Sequence, residues 1–333
     1  MDSNLSTPLI SAIMIVYNGE RFIEKAIDSI LNQSFKNFEF LILNDGSTDA
    51  TDEIIKRKLI TDKRIVYLIN EINLGLSYSR NKIINHAHGK YIIVTDADDI
   101  SFLDRFENQV NFMTLNPHID IYGAFVKLIN ETDQPFECWE YPIKNNEIKD
   151  GLKNACIVAN PTIIFKKSIF TKINGYNNAL TICEDWDFFV RASLYFNFEN
   201  SNAPNIYYRI HNNNISKTKL EKTVIYALFL KFSLDKICLS YTIKEFIQNY
   251  PHLKNDLASK AIQFYCYWIE TYYKMGYIEI AEDLLAFMSN NFCVFFNKKQ
   301  KRQYHKNIIS MCLNMKEYKL LIITIKKYIF AIC

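Results

Sequence analysis

The chain of 333 residues is 49% hydrophobic and 23% charged, with a formal net charge of +3; this excludes a disordered protein and leaves room for one large domain or two ordinary ones. Its eight cysteines (Cys138, Cys156, Cys183, Cys238, Cys266, Cys293, Cys312, Cys333) lack Cys-x-x-Cys spacing, which argues against a zinc site or disulfide framework and for thiols in a reducing cytoplasm. Residues 216–333 hold 18 Lys+Arg against 9 Asp+Glu, a surplus of +9 that leaves −6 on the first 215, so two units with different duties are expected.

The opening Met1-Asp2-Ser3-Asn4 has no basic or apolar leader, and no secretory signal is expected. No apolar run approaches the roughly 18 to 20 residues that span a bilayer. Residues 9–16 read as a buried strand, and Phe22, Ile23, Ala26, Ile27, Ile30 and Leu31 then recur at helical spacing. A second strand covers 38–43 and ends at Asn44-Asp45-Gly46-Ser47, after which Asp49 can cap a helix to about 58. A third strand at 65–68, a helix at 75–86 and a fourth strand at 91–95 follow. Strands separated by such helices imply βαβ units and a parallel sheet. Beyond them come a helix at 104–116, strand signals at 121–129 and 163–165, a helix at 185–196 and a strand at 206–210. From 217 onward the pattern is helical. The expected fold is α/β, a Rossmann-like, mainly parallel sheet in residues 1–216, with an α-helical C-terminal region in 217–333.

In open parallel sheets ligands bind outside the C-terminal strand ends, and a polar cluster follows three of the first four strands: Tyr17-Asn18, Asn44-Asp45 and Asp96-Ala97-Asp98-Asp99. The last places three carboxylates in four positions after the apolar run Tyr91-Ile92-Ile93-Val94-Thr95. Such oxygens suit a hard divalent cation that shares its sphere with a diphosphate; the alternative is an acidic loop capping the next helix.

Six motifs stand in order: Ile15-Val16-Tyr17-Asn18, Asn44-Asp45-Gly46-Ser47-Thr48-Asp49, Asn73-Leu74-Gly75-Leu76 with Arg80-Asn81, Asp96-Ala97-Asp98-Asp99, Glu184-Asp185, and Tyr208-Arg209-Ile210-His211. Together they resemble family 2 of the glycosyltransferases, inverting nucleotide-sugar enzymes with the A-type fold. The resemblance covers residues 9 to about 216 and leaves the helical region outside.

By that resemblance Tyr17 stacks on uracil and Asp45 accepts a hydrogen bond from the base imide, which cytosine lacks; many relatives carry an acid where this chain has Asn44. Glu20 either contacts the base or favours a helix N-terminus. Asp98 corresponds to the metal ligand, for Mn²⁺ or Mg²⁺, and Asp96 faces the ribose or the metal through water. Asp99 caps the next segment or orients its neighbours. Arg80 neutralises the diphosphate or pairs with acids, and His211 reaches the metal or diphosphate. Asp185 corresponds to the base that takes the acceptor's proton, with Glu184 positioning it and Trp186 able to shield the site; the plain alternative for the acidic pair is a helix N-terminus. Asn160-Pro161-Thr162 resembles the acceptor-side turn, and a turn before a strand explains it equally well. The implied reaction is metal-dependent transfer from a UDP-sugar to a polysaccharide, lipopolysaccharide or lipid-linked glycan.

Two other classes fit the sequence less well. A sugar-phosphate nucleotidylyltransferase would carry a Gly-rich phosphate loop where Tyr17-Asn18-Gly19-Glu20 has one glycine, and a non-catalytic scaffold would have no need of Asp98 or Asp185. Nucleic-acid binding is not expected, since the acidic half carries the cleft. In the C-terminal region, Asn291-Phe292-Cys293-Val294-Phe295-Phe296 precedes Lys298, Lys299, Lys301, Arg302 and Lys306. This reads either as a patch docking at an anionic membrane, such as the inner face of the plasma membrane, or as a core segment followed by a solvated basic face.

Overall fold

A computed structural model describes residues 7–211 apart from 154, 179 and 181. These lie in the first of the two units into which the chain divides, Met1–Thr223, and the expected helical region 217–333 falls outside them. In chain order the elements are β1 (Ile10–Val16), α1 (Ile23–Leu31), β2 (Phe38–Asp45), α2 (Thr51–Thr61), β3 (Ile65–Asn70), α3 (Leu76–His86) and β4 (Tyr91–Asp96). Then follow β5 (Ile100–Ser101), α4 (Arg105–Leu115), β6 (Ile121–Ile129), β7 (Pro135–Trp139) and α5 (Asn145–Leu152). A 3₁₀ turn at Asn160–Thr162, β8 (Ile164–Lys166), α6 (Lys167–Lys172), α7 (Glu184–Ser193) and β9 (Phe198–Arg209) complete the set.

The strands form one sheet in the order β3-β2-β1-β4-β8-β6-β9-β5, with β7 pairing onto β6. Strands β1 to β4 pair in parallel, as the βαβ pattern predicts. Covered on both faces, β1 and β2 are mostly apolar: Ala12, Met14, Phe40, Leu41, Ile42 and Leu43 have no exposed surface. Edge strand β3 instead mixes buried and exposed positions. Helix α1 lies on the core through Ile23, Ala26, Ile27 and Ile30, at the spacing read from the sequence.

The chain runs β1-β2-β3 outward in one direction and then returns to place β4 on the other side of β1. That reversal leaves a crevice at the carboxyl ends of β1 and β4, where doubly wound sheets bind ligands. Beyond β4 the sheet becomes mixed, with β8 antiparallel to both β4 and β6. Strand β9 is twelve residues long and lies parallel to β6 with register shifts near Phe125. Its last residues pair with the two-residue β5, Ile100 opposite Tyr207 and Ser101 opposite Ile206, which brings the end of β9 to the acidic loop after β4.

Candidate active site

The loops after β1 and β2 are stitched together by their own polar groups. Asn18, in the left-handed region at φ 52°, donates its N–H to Ser47 Oγ at 2.9 Å and accepts from Thr48 N at 2.8 Å. Gly19 N donates to Thr51 Oγ1. Glu20 and Asp49 exchange bonds across the gap: Glu20 N donates to Asp49 Oδ2, and Ala50 N donates to Glu20 Oε2 at 2.9 Å. Glu20 therefore serves the N-terminal end of α2 rather than that of α1. Gly46 closes the same region at φ +74°, where a Cβ would stand 2.6 Å from the Ile72 carbonyl carbon. Above this frame Tyr17 is 49% exposed, with its ring free to stack.

Asp45 is almost wholly buried. Its Oδ1 accepts from Asn70 Nδ2 at 2.7 Å and Leu74 N at 3.0 Å, and its Oδ2 from Gly75 N at 2.9 Å. It thus shapes the β3–α3 loop, and the expected base contact falls to the lone pair left on Oδ2. Asn44 is likewise occupied, donating to the Tyr67 hydroxyl and accepting from Ser47 N.

At the end of β4, Asp96, Asp98 and Asp99 can each direct one oxygen into a cluster no wider than 4.8 Å. Burial and then the Asp98 charge push the Asp96 carboxyl up to about 7, against Arg80. Burial, Asp98 and Asp96 raise Asp99 well above the usual carboxylate range. Asp99 Oδ1 accepts from Arg209 N at 2.9 Å, while its buried Oδ2 has no hydrogen-bond partner among the described residues. An all-oxygen set with an orphaned carboxylate oxygen and crowded like charges fits a hard divalent cation. His211 lies beside this cluster, with Nε2 2.9 Å from Asp98 Oδ2.

Two arginines hold the loop from behind. Arg209 has no exposed surface; Nε donates to Asp98 O at 2.9 Å, Nη1 pairs with Asp133 at 2.5 Å, and the guanidinium lies 4.6 Å from the Phe22 ring centre. Phe22 also packs against His211, with ring centroids 5.1 Å apart. Arg105 donates to Ser101 Oγ and Val94 O, and burial lowers it to about 9 although Asp99 and Asp96 oppose the shift. Neither arginine was singled out from the sequence for this work. Only the Tyr-Arg-x-His run hinted at Arg209.

The second acidic centre starts α7. Cys183, at φ 57°, turns the chain into Glu184-Asp185. Glu184 is buried and ion-paired with Arg80, whose guanidinium lies 5.3 Å from the Tyr176 ring centre. The Arg80 charge also bears on Asp96 and Asp185. Asp185 is half-buried, and burial followed by Glu184 pushes its carboxyl up to about 6 despite Arg80. A carboxylate that ionises just below neutrality suits a general base. Trp186 is turned into the core, donating its indole N–H to Leu152 O at 2.8 Å. The charges of Asp185 and Glu184 add to the upward push on the Asp96 carboxyl, as neighbouring acidic groups do.

Residues 11–173 match the family model described as glycosyl transferase family 2. An uncharacterized glycosyltransferase of Methanocaldococcus jannaschii, MJ1057, is 32% identical over 271 residues, covering 80% of this chain and 88% of its own. The chain belongs to glycosyl transferase family 2. Another relative, the O-antigen biosynthesis glycosyltransferase WbnJ of Escherichia coli, is 30% identical over 244 residues, covering 72% of this chain and 89% of its own. Among solved structures, residues 1–349 of S. aureus TarS in complex with UDP share the fold, with a TM-score of 0.56 at 17% identity over 92% of this chain and 91% of that one. Family membership makes this chain a glycosyltransferase and gives it the expected α/β fold.

Proposed function

We propose that this family 2 glycosyltransferase moves a sugar from a UDP-sugar, with inversion, to a hydroxyl of a polysaccharide, lipopolysaccharide or lipid-linked glycan precursor. The observation that carries the reading is the pairing of the Asp96–Asp98–Asp99 cluster with a base-like Asp185, coupled across one crevice. Two similarities support its ends: the UDP named with TarS for the donor, and the O-antigen biosynthesis named for WbnJ for the acceptor.

In this reading Tyr17 stacks on the uracil and the open lone pair of Asp45 Oδ2 takes the imide N–H. Asp98, with Asp96, Asp99 and His211 beside it, holds Mn²⁺ or Mg²⁺, which when bound supplies neutralisation of diphosphate charge. Asp185 takes the proton of the acceptor hydroxyl as that oxygen attacks the anomeric carbon from the face opposite the leaving nucleotide. Arg80 holds Glu184 beside the base and keeps a positive charge between the two acidic centres. The test is calorimetric titration with UDP, with and without Mn²⁺, alongside Asp98→Ala. Micromolar binding that needs both the metal and Asp98 is the expected outcome; a folded chain that binds no UDP in any combination defeats the donor assignment.

A further inference from the structure

The β6–β7 pair carries an aromatic surface that neither donor residues nor base use. Trp139 is 41% exposed, high for a large ring on a strand. Pairing places Trp139 opposite Val126 and Tyr208 opposite Leu128. Val126 and Leu128 are two residues apart, so all four side chains share one face of the sheet. The Trp139 and Tyr208 rings lie 5.9 Å apart, tilted by 38°. Val126, Leu128 and Ile206 form an apolar floor, flanked by Tyr141, Ala159, Tyr208 and Ile210.

This surface is continuous with the site. Tyr208 directly precedes Arg209, whose backbone N–H donates to Asp99 Oδ1 at 2.9 Å, so the aromatic pair adjoins the acid loop. Next to Ala159, Asn160 is buried, and neither atom of its side-chain amide is hydrogen-bonded among the described residues. Such groups are rare and call for a partner.

A pyranose ring matches this chemistry. One face presents polarised C–H bonds, which the negative face of an aromatic ring attracts, and its rim carries hydroxyls that need polar partners. Exposed Glu137, two residues before Trp139 and on the same face, supplies a carboxylate at that rim. Resting on the transferase reading above, we propose that Trp139 and Tyr208 are the stacking platform for the terminal sugar ring of the acceptor, with Glu137 at its hydroxyl rim.

The test follows the indole N–H resonance of Trp139, one of three tryptophans, assigned by its loss in Trp139→Phe. The full chain, loaded with UDP and diamagnetic Mg²⁺, is titrated with methyl glycosides of glucose, galactose, mannose and N-acetylglucosamine. At least one glycoside is expected to shift that signal saturably, Trp139→Ala to weaken its binding about tenfold, and Trp139→Phe to retain most of it. Glycosides that bind without moving the signal, or none that moves it, overturn the platform; the latter result leaves the aromatic face to a covering segment of this chain. UDP binding by the unaltered chain is measured in the same sample before sugar is added, so failure of the donor reading registers separately.

Discussion

Asp185 and Glu184 show how two adjacent acids are driven apart. Glu184 is buried against Arg80, while Asp185 remains half-buried with its carboxyl raised to about 6. A base must be ionised to act, so kcat/KM should fall about tenfold per pH unit below 6. Replacing Glu184 by Gln removes the like charge that raises Asp185 and leaves Arg80, which lowers it, so the acid limb of the pH profile should move to lower pH. Asp185→Asn should reduce kcat by about 10²- to 10⁴-fold with UDP affinity unchanged, as steady-state kinetics and calorimetry would show. Tyr17 makes a different contribution. Its exposed ring takes no part in the core, so Tyr17→Ala should cost about 1–3 kcal/mol of UDP affinity if base stacking is its role, with the melting temperature unmoved.

At the scale of elements, buried charges hold the site's supports in place. On α7 the fully buried Asp187 and Arg191 pair at 2.5 Å, and Arg191 also donates to Ile173 O, fastening the base-bearing helix to the end of α6. Asp187→Ala removes the carboxylate that faces a buried guanidinium and should destabilise the fold by about 3–5 kcal/mol in urea unfolding; the apparent pKa of the remaining activity should hold near 6. The β5–β9 pairing works similarly for the acid loop, because the end of β9 brings Arg209 to the Asp98 carbonyl and, just beyond it, His211 to the Asp98 carboxylate. The 3.6-residue period of α1 and the largely apolar runs of β1 and β2 announce those elements in the sequence. Strand β5 has two residues and α6 only six, too few for a period to register, and β7 is exposed at four of its five positions, which erases the alternation of a half-buried strand.

Over the whole molecule, the reversal of strand order at β1 and β4 gathers groups from nearly two hundred residues of chain into one crevice. No helix among the described residues is long and apolar enough to cross a membrane. Charge separates along the chain as well, with the site on the acidic part and the surplus of +9 on residues 216–333. If that basic part meets a membrane, the full chain should float with anionic vesicles and not with neutral ones. The association should weaken with salt and fall when Lys298, Lys299, Lys301, Arg302 and Lys306 are neutralised, each charge contributing about 1 kcal/mol. Equal flotation on both vesicle types would leave the basic stretch as a solvated face.

By itself the sequence determined the alternation of strands and helices, the acids at the strand ends and the motif order that marks the family, because periodicity, turn residues and spacing are local properties. Only the tertiary structure decided what each polar group does. Asp45 turned out to shape the β3–α3 loop, Glu20 to bind the start of α2, Arg80 to hold Glu184, and Asn18, Asp49, Arg105 and Arg209 to frame the site. Arg209 meets Asp98 across 111 positions, and Arg80 meets Glu184 across 104. Such pairings leave no local trace, since what selects them is the need of a buried charge or N–H for a partner, and the available partner depends on how the strands are ordered in the sheet.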